Sequence, residues 1–494
     1  MDIGIDIGTS EVKAVLLDDA QRIVGQTGSP LSTARPQHLW SEQDPADWWN
    51  ATVSALAQLQ QQHPREYAAV RGLGLSGQMH SATLLDAHDR VLRPAILWND
   101  GRCHRQCAEL EQRAPDSRRI TGNIAMPGFT APKLLWVEQH EPAVFAALAR
   151  VLLPKDYVRL LLTGDAVSDM SDSAGTLWLD VAQRAWSDAM LDATHLERSH
   201  MPRLVEGSAA GGMVLPAIAS QLGLSAGVVV AGGAGDNAAS AVGIGVAQPG
   251  SAFLSLGTSG VYFVANAAFS PNPQRAVHAF CHAFPGAWHQ MTVMLSAASC
   301  LRWLRQLTHA DDEAQLVAEA QALPAGAAVP MFLPYLSGER TPHDNPYASG
   351  VFFGMTHEHG RAHLARAVLE GVAFAFLDGQ QALLDGGACI DTVTLVGGGS
   401  RSAFWAQILA DTLGRVMVRR SDANVGAALG AARLGRLART NEAVVSVCTV
   451  PPEIDRFNPD AQRHEMLTQR HIQFQRLYAA LKSEMQALPI RETA

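Results

Sequence analysis

Six cysteines in 494 residues are too few for a disulfide framework in a chain of this size. Cys103 and Cys107 lie close together, but CxxxC without a second pair is a poor zinc motif. An uninterrupted apolar run of about 18 residues is also missing, so no membrane span is predicted. The longest candidates, such as "AVGIGVAQPGSAFLSLG", are broken by Gly and Pro. No basic stretch followed by a long apolar run opens the chain, because Asp6 and Lys13 interrupt the first apolar residues. Positive charge is not in excess either: 38 Lys and Arg against 47 Asp and Glu give a formal net charge of −9. That balance disfavours nonspecific binding to nucleic acid or to an anionic membrane. The expectation is a cytoplasmic protein with no nucleic-acid or membrane partner. An anionic ligand would need a locally favourable pocket, since the overall field repels it.

What is present is the composition of a globular protein, 47% hydrophobic and 17% charged. The length exceeds a single ordinary core, so two large domains are expected. "IGIDIGTSEVKAVLLDD" (Ile3 to Asp19) reads as two short strands, 3–7 and 12–17, joined at Gly8, Thr9 and Ser10. A third run near residues 22–26 continues the meander, and "PADWWNATVSALAQLQQQ" (Pro45 to Gln62) has helical length and periodicity. The same strand–GTS–strand unit returns as "FLSLGTSGVYFV" (Phe253 to Val264). Each half also supplies a strand–glycine–helix unit: "GVVVAGGAGDNAASAVGIG" (Gly227 to Gly245) and "TVTLVGGGSRSAFWAQILADTLG". This predicts a duplicated α/β architecture with a boundary near residue 246, domains 1–245 and 246–494, and a central cleft facing both turns.

The turns carry the first chemical expectation. Glycine permits a tight backbone, and successive N–H groups can form a concavity for an anion, with the hydroxyls of Thr9, Ser10, Thr258 and Ser259 beside it. Either turn alone is an ordinary hairpin. Together they could grip the phosphates of a nucleotide from opposite walls, although no Walker A loop is present. Asp6, at the end of the first strand, is either an Asx-type turn residue or a carboxylate facing Mg²⁺ and phosphate. Lys13 reads equally as an edge residue or a phosphate contact. Asp236 is either a helix N-cap or a general base with Asn237 beside it. A reference pKa of about 3.9 makes it a weak base, but phosphoryl transfer is mostly positioning and charge neutralisation.

"LVGGGSRSAFWAQ" (Leu395 to Gln407) offers Gly397 and Gly399 to a dinucleotide fingerprint, with Asp422 as its acidic residue. The third glycine is Ser402, and the turn could equally hold adenosine. Given the paired GTS turns, an ATP-like nucleotide is the expectation. Histidines recur at His278 and His282 and at His357, His359 and His363. The latter group lacks a local acid or thiolate for zinc, and surface polar residues are expected. His80 ends a strand beside small residues, and its spacing fits a polar strand-end residue as well as a ligand contact.

At this point the chain resembles the FGGY carbohydrate kinases, of the actin, hexokinase and Hsp70 ATPase superfamily. "DIGTS" resembles their first phosphate motif, "LSLGTSG" the second and "LVGGGSRS" the adenosine motif. "GFTAPKLLWVEQH" (Gly128 to His140) and "GVFFGMTHEHGRAHLARAVLE" (Gly350 to Glu370) fit the two family signatures. "SGQMH", "LWNDGR", "GDNAA" and "LSGERTPH" look most like members that phosphorylate D-xylulose on its 5-hydroxyl. The resemblance implies a two-domain, ribonuclease H-like duplicated fold, with ATP and Mg²⁺ as cosubstrate and cofactor and a homodimer as the assembly. It implies Asp236 as proton acceptor, Asp6 in the Mg²⁺–phosphate region, and Met79 and His80 on the sugar. Asn237, Asn99 and Asp100 would line the pocket. Thr9, Ser10, Lys13, Gly257, Thr258, Gly398, Gly399 and Ser402 would approach the nucleotide. Glu11 departs from the glycine often found after the first GTS, and Asn424 stands where many members carry an acid; Glu11 is expected to point outward. Rival readings are a kinase for ribulose, ribitol or gluconate, a nucleotide-operated binding protein of the Hsp70 or actin sort, and an NAD-dependent oxidoreductase.

Overall fold

The computed structural model describes residues 1–324, 326–421 and 426–487. In the strand Asp2–Ile7, Asp2 to Ile5 and Ile7 are buried, as in a strand covered on both faces. It pairs antiparallel with Glu11–Leu17, which pairs antiparallel with Ile23–Pro30. On its other side it pairs parallel with Gly72–Gly77, followed by the parallel Val229–Ala231 and the antiparallel Ala210–Met213. The second sheet repeats this order. Ala252–Leu256 pairs antiparallel with Gly260–Asn266, and that strand with Trp288–Met294. Beyond Ala252–Leu256 come the parallel Thr392–Val396 and Val416–Arg420, then the antiparallel Glu453–Phe457. The duplication expected from the two GTS units is therefore present in strand order and direction.

Local chemistry explains several elements. The helix Pro45–Gln62 starts where Asp44 accepts the Ala46 N–H and Pro45 occupies the first turn. The helix Arg361–Asp385 is, among the described residues, the one with the length and composition to cross a membrane. It is instead a core helix: most of its apolar window is buried inside the second half. The largest apolar cluster joins the halves, bringing Met79, Phe129, Leu134 and Trp178 against Phe253, Phe263, Met291 and Val293.

One helix crosses over. Gly426–Thr440 comes late in the chain yet packs on the first sheet and on the helix Asp236–Gly243. A Cβ placed on Gly74 would lie 1.8 Å from the Ala431 carbonyl oxygen, and one on Gly430 1.8 Å from that of Ala239. Backbone meets backbone there, at a distance only glycine allows. Gly430→Ala should therefore cost about 3 kcal/mol, the upper part of the range for overpacking. Gly360→Ala, where no atom lies within 4 Å of the added carbon, should cost less than about 1 kcal/mol. Denaturant unfolding of both variants measures the contrast.

Candidate active site

The first turn is closed by the Gly8 N–H donating to the Glu11 carbonyl (3.0 Å). Thr9 does not present a free hydroxyl donor, as the sequence had suggested. Its hydroxyl donates to Gln78 Oε1 (3.1 Å) and accepts from Trp98 Nε1 (3.0 Å), while Gln43 Nε2 donates to its carbonyl (2.7 Å). Thr9 anchors the turn, and Ser10 is the exposed residue at its tip. Lys13 pairs with Glu11 at 3.0 Å, both partly exposed. Glu11 thus lies along the strand beside Lys13. In the second turn, the Gly257 and Thr258 carbonyls accept N–H groups of Ala298, Ala297 and Ser299, which docks the helix Ala298–Thr308 on the turn.

Gly397 adopts φ +87°, and a Cβ there would lie 2.8 Å from the Leu256 carbonyl carbon. The glycine turn consequently rests directly on the second GTS turn. Gly398 faces open space. The two turns border a cavity of about 860 Å³ lined also by Leu301, Val317, Arg401 and Trp405. Ser402 caps the helix Ala403–Leu413, its Oγ accepting the Trp405 N–H (3.1 Å). This cavity suits a flat base and ribose held by close backbone approach. Asp422 and Asn424 lie outside the described residues.

Asp6 sits across the strand pair from Lys13 and beside Ser76, whose hydroxyl donates to Asp6 Oδ1 (2.9 Å). Burial raises its pKa, while Ser76 and Lys13 pull it back. With Lys13, Asn237, Ser255 and Gly397 it lines a second space of about 270 Å³. Asp236 is not a helix N-cap: Gly235 holds that position, and Asp236 is the first helical residue. Its Oδ1 accepts from the Asn237 N–H (2.7 Å) and Nδ2 (2.9 Å). Burial and then the nearby Asp6 charge push its pKa up to about 7. A carboxylate expected to be a weak base is thus tuned to neutral pH.

A third space, about 270 Å³, holds Asp236, Asn237, Met79, His80, Trp98, Phe129, Ser259, His278 and Arg340. His80 takes φ +70°, uncommon outside glycine. Three contacts hold it there: Thr130 Oγ1 (3.0 Å) and Lys133 Nζ (2.9 Å) donate to its carbonyl, and its Nδ1 meets the Gly175 carbonyl (2.7 Å). A carbonyl can only accept, so Nδ1 carries the proton and Nε2 is left as an acceptor. Burial first, then the Lys133 charge, lowers the His80 pKa to about 3, so the ring is neutral.

The sequence expectation thus separates into parts. Asp236, Asn237, Met79 and His80 meet in one cavity, Asp6 and Lys13 in the adjoining one, and Gly257, Thr258, Gly398, Gly399 and Ser402 around the largest. Asn99 and Asp100 do not line the cavity: Asn99 is exposed, and the buried Asp100 carboxylate is consumed by Arg102 (2.7 Å) and the Ser41 N–H (2.6 Å). His278 and His282 are fully buried, while His357 is exposed. Among the described residues no cluster of His, Cys, Asp and Glu forms a metal site. Sequence reasoning missed Ser76, Lys133 and Arg340, and noted His278 without placing it in the site. Lys133 and Arg340 lie inside the quoted stretches "GFTAPKLLW" and "LSGERTPH", where a charge among apolar or small residues was the available signal.

Residues 1–243 match the N-terminal domain, and residues 252–439 the C-terminal domain, of the FGGY family of carbohydrate kinases. The chain is 54% identical over 482 residues to the xylulose kinase of Escherichia coli (strain K12), covering 97% of this chain and 99% of that protein. The crystal structure of a xyloylose kinase from Brucella ovis superposes with a TM-score of 0.95 at 50% identity, covering 98% and 99% of the two chains. Plasmodium falciparum glycerol kinase with ADP shares the fold, with a TM-score of 0.87 at 19% identity over 94% of this chain and 96% of that one.

Two measurements follow from the Asp236 environment. If its carboxylate must be ionised, kcat/KM for the acceptor falls about tenfold per pH unit below about 7; a profile flat down to pH 5 contradicts this. The folded state also keeps on Asp236 a proton that the unfolded chain loses near 3.8, so the ionised group costs stability increasingly from there to about pH 7. Asp236→Asn should therefore gain thermal stability over the parent between pH 4 and 7, with a constant advantage above pH 7.

Proposed function

The chain belongs to the FGGY family of carbohydrate kinases, and on that premise we propose that it transfers the γ-phosphoryl group of ATP to the 5-hydroxyl of D-xylulose, giving D-xylulose 5-phosphate and ADP. One observation carries the reading. Asn237 borders both the acceptor cavity and the Asp6 space, Gly397 borders that space, and its neighbours Gly398 and Gly399 border the largest cavity. Three adjoining cavities thus succeed one another, which supports reading them as acceptor site, phosphate region and nucleotide chamber of one cleft.

In this proposal Asp236 accepts a hydrogen bond from the 5-hydroxyl and aligns its oxygen with the γ-phosphorus. The new O–P bond forms as the bond to the ADP oxygen breaks, and the hydroxyl proton passes to Asp236. Its position at a helix N-terminus tolerates the ionised form before reaction, and its pKa near 7 makes proton uptake inexpensive. His80 Nε2 accepts from a sugar hydroxyl, and Met79 packs against the carbon skeleton. The Gly257–Thr258 turn and the Gly398–Gly399 turn hold the nucleotide.

Asp6 fits a Mg²⁺ ion: Ser76 engages one of its oxygens, and Asp236 nearby leaves the cleft with an excess of negative charge. When bound, the ion neutralises phosphate charge. We keep the boundary near residue 246, with 1–245 carrying Asp6, His80 and Asp236 and 246–494 carrying the nucleotide turns, although His278 and Arg340 of the second half complete the acceptor cavity and the helix Gly426–Thr440 packs on the first sheet. Closure of the two halves on the reactants would exclude water that would otherwise hydrolyse ATP. A cytoplasmic homodimer, the assembly implied by the family resemblance, is the form we expect, readable by light scattering.

Asp236→Ala should reduce turnover by at least about three orders of magnitude while ATP binding by calorimetry stays within about twofold. Near-normal turnover in that variant would remove Asp236 from its role. A coupled ADP-release screen of the parent enzyme should rank D-xylulose first by kcat/KM over ribulose, ribitol and gluconate. A higher value for any of these reassigns the substrate.

A further inference from the structure

The acceptor cavity has an inventory of hydrogen-bonding groups that can be counted. Asp236 accepts, and His80 Nε2 accepts because Nδ1–H is spent on Gly175. Trp98 Nε1–H is spent on Thr9, and Asn237 Nδ2 donates to Asp236. His278 is fixed in one tautomer. The Ala279 N–H donates to Asn123 Oδ1, so that oxygen is an acceptor, and His278 Nδ1 at 3.1 Å from it carries the proton. Its Nε2 is then an acceptor and receives a hydrogen bond from Arg340 Nη1 (3.2 Å). The remaining charged donor on the cavity wall is the Arg340 guanidinium itself.

Three features mark Arg340 as more than a wall. It has no ion-pair partner among the described residues, and its one side-chain hydrogen bond there goes to the neutral His278. Neighbouring Glu339, which could have neutralised it, has Oε1 engaged by the Leu295 and Arg340 N–H groups, and burial pushes its pKa to about 8. The guanidinium is also oriented: the chain Asn123–His278–Arg340 fixes one edge of a planar five-donor group and leaves the rest for a ligand.

Position supplies the second half of the argument. Met79 lies against Gly235, next to Asp236, where an added Cβ would meet its Sδ at 2.9 Å. From His80 the wall continues through Phe129 (ring centroids 4.8 Å) to His278 (5.4 Å from Phe129), and only then to Arg340. Along this wall Arg340 is reached from Asp236 only through Met79, His80, Phe129 and His278, and neither charge is among those that act on the other. The charge that raises Asp236 is Asp6, whereas the Arg340 charge is felt at His80. Resting on the reading that the 5-hydroxyl meets Asp236, the other end of the sugar is the C1–C2 end. Its carbonyl oxygen can only accept, and it needs a donor.

We propose that Arg340, supplied by the second half of the chain and aimed by His278, donates to the C2 carbonyl oxygen of the ketose and so selects a ketose over the polyol with the same carbon skeleton. The polyol places a hydroxyl at that carbon, which is a poorer acceptor for a desolvated cation. The hydroxyls nearer Asp236 are common to both molecules and give no discrimination.

The test uses the full-length enzyme with D-xylulose and xylitol. KM and kcat are measured for D-xylulose, and the inhibition constant of xylitol against it, for the parent, Arg340→Gln and Arg340→Lys. Arg340→Lys keeps the charge and guards against loss of fold, and an unchanged KM for ATP confirms an intact nucleotide lobe. The expected result is a ~10- to 100-fold rise in the KM for D-xylulose in Arg340→Gln, the scale of one hydrogen bond to a charged group. Xylitol inhibition should change less than about threefold, so the preference for the ketose collapses, with Arg340→Lys between the two. Equal losses for both molecules would mean that Arg340 only shapes the cavity, and would overturn the proposal. So would a raised KM for ATP with sugar affinity intact. A parent enzyme that phosphorylates no pentulose removes the substrate assignment, and this proposal with it, before any variant is made.

Discussion

The close approach of the helix Gly426–Thr440 to the first sheet is the constraint on which the catalytic geometry depends. The same helix touches the strand bearing Asp6 at Gly4, whose added Cβ would lie 1.9 Å from the Ala428 carbonyl oxygen. It touches the helix opened by Asp236 at Ala239 and at Gly243, where the corresponding distance to Gly426 is 1.9 Å. Both carboxylates are thus registered against one rigid rod that belongs, by sequence, to the other half of the chain. Glycine and alanine at the contact leave no side chain to change rotamer, so the contact has little freedom to slide. The spacing between Asp6 and Asp236, and hence the repulsion that lifts the pKa of Asp236, follows from it.

A second set of buried charges supports Asp236, the proposed base, from behind. Lys155, with no exposed side-chain surface, lies 2.8 Å from Asp169 and 3.4 Å from Asp172 and also pairs with Asp156. Arg159 donates to the carbonyls of Ala231 and Gly232, and Ser171 Oγ accepts the Gly235 N–H at 3.1 Å. Every backbone group so held lies in the five residues before Asp236. Burial drives the Asp172 pKa well above the carboxylate range. Lys155 and Arg159 thus stand among three buried acids, one of which holds its proton more tightly than an ordinary carboxyl, which is how so much charge can be kept dry. None of these cations is among the charges that lower the Asp236 pKa, and Asp236 keeps its elevated value.

Much of this was legible in the sequence, for physical reasons. The GTS turns announce themselves because a tight turn between apolar strands restricts the choice of residues, and their repetition predicted the duplicated sheet. Asp236 stood out because a carboxylate after "VVVAGGAG" has to be accommodated at a strand end. What was not legible depends on contacts between distant segments. Asp100 looked like a pocket residue beside Asn99, but pairing with Arg102 turned its carboxylate inward. Thr9 looked like a free donor until Gln78 and Trp98 arrived from elsewhere in the chain. Arg340 and His278 come from separate loops and strands of the second half, and no local pattern announces that they meet. The pKa of Asp236 was beyond reach for the same reason, since it depends on burial and on a strand more than two hundred residues away.

The matched strand order of the two sheets also sets the two turns in equivalent places. Gln78, Met79 and His80 follow the parallel strand Gly72–Gly77 beside the first hairpin, and Gly397, Gly398 and Gly399 follow Thr392–Val396 beside the second. These are the same position in the two matched sheets. In one sheet the turn bears the side chains proposed to read a small polyhydroxy molecule. In the other it is glycine throughout, which in the proposed role lets a nucleotide lie close. One strand order thus presents the same turn twice, and side chains in one copy against bare glycine in the other suit the two turns to different reactants.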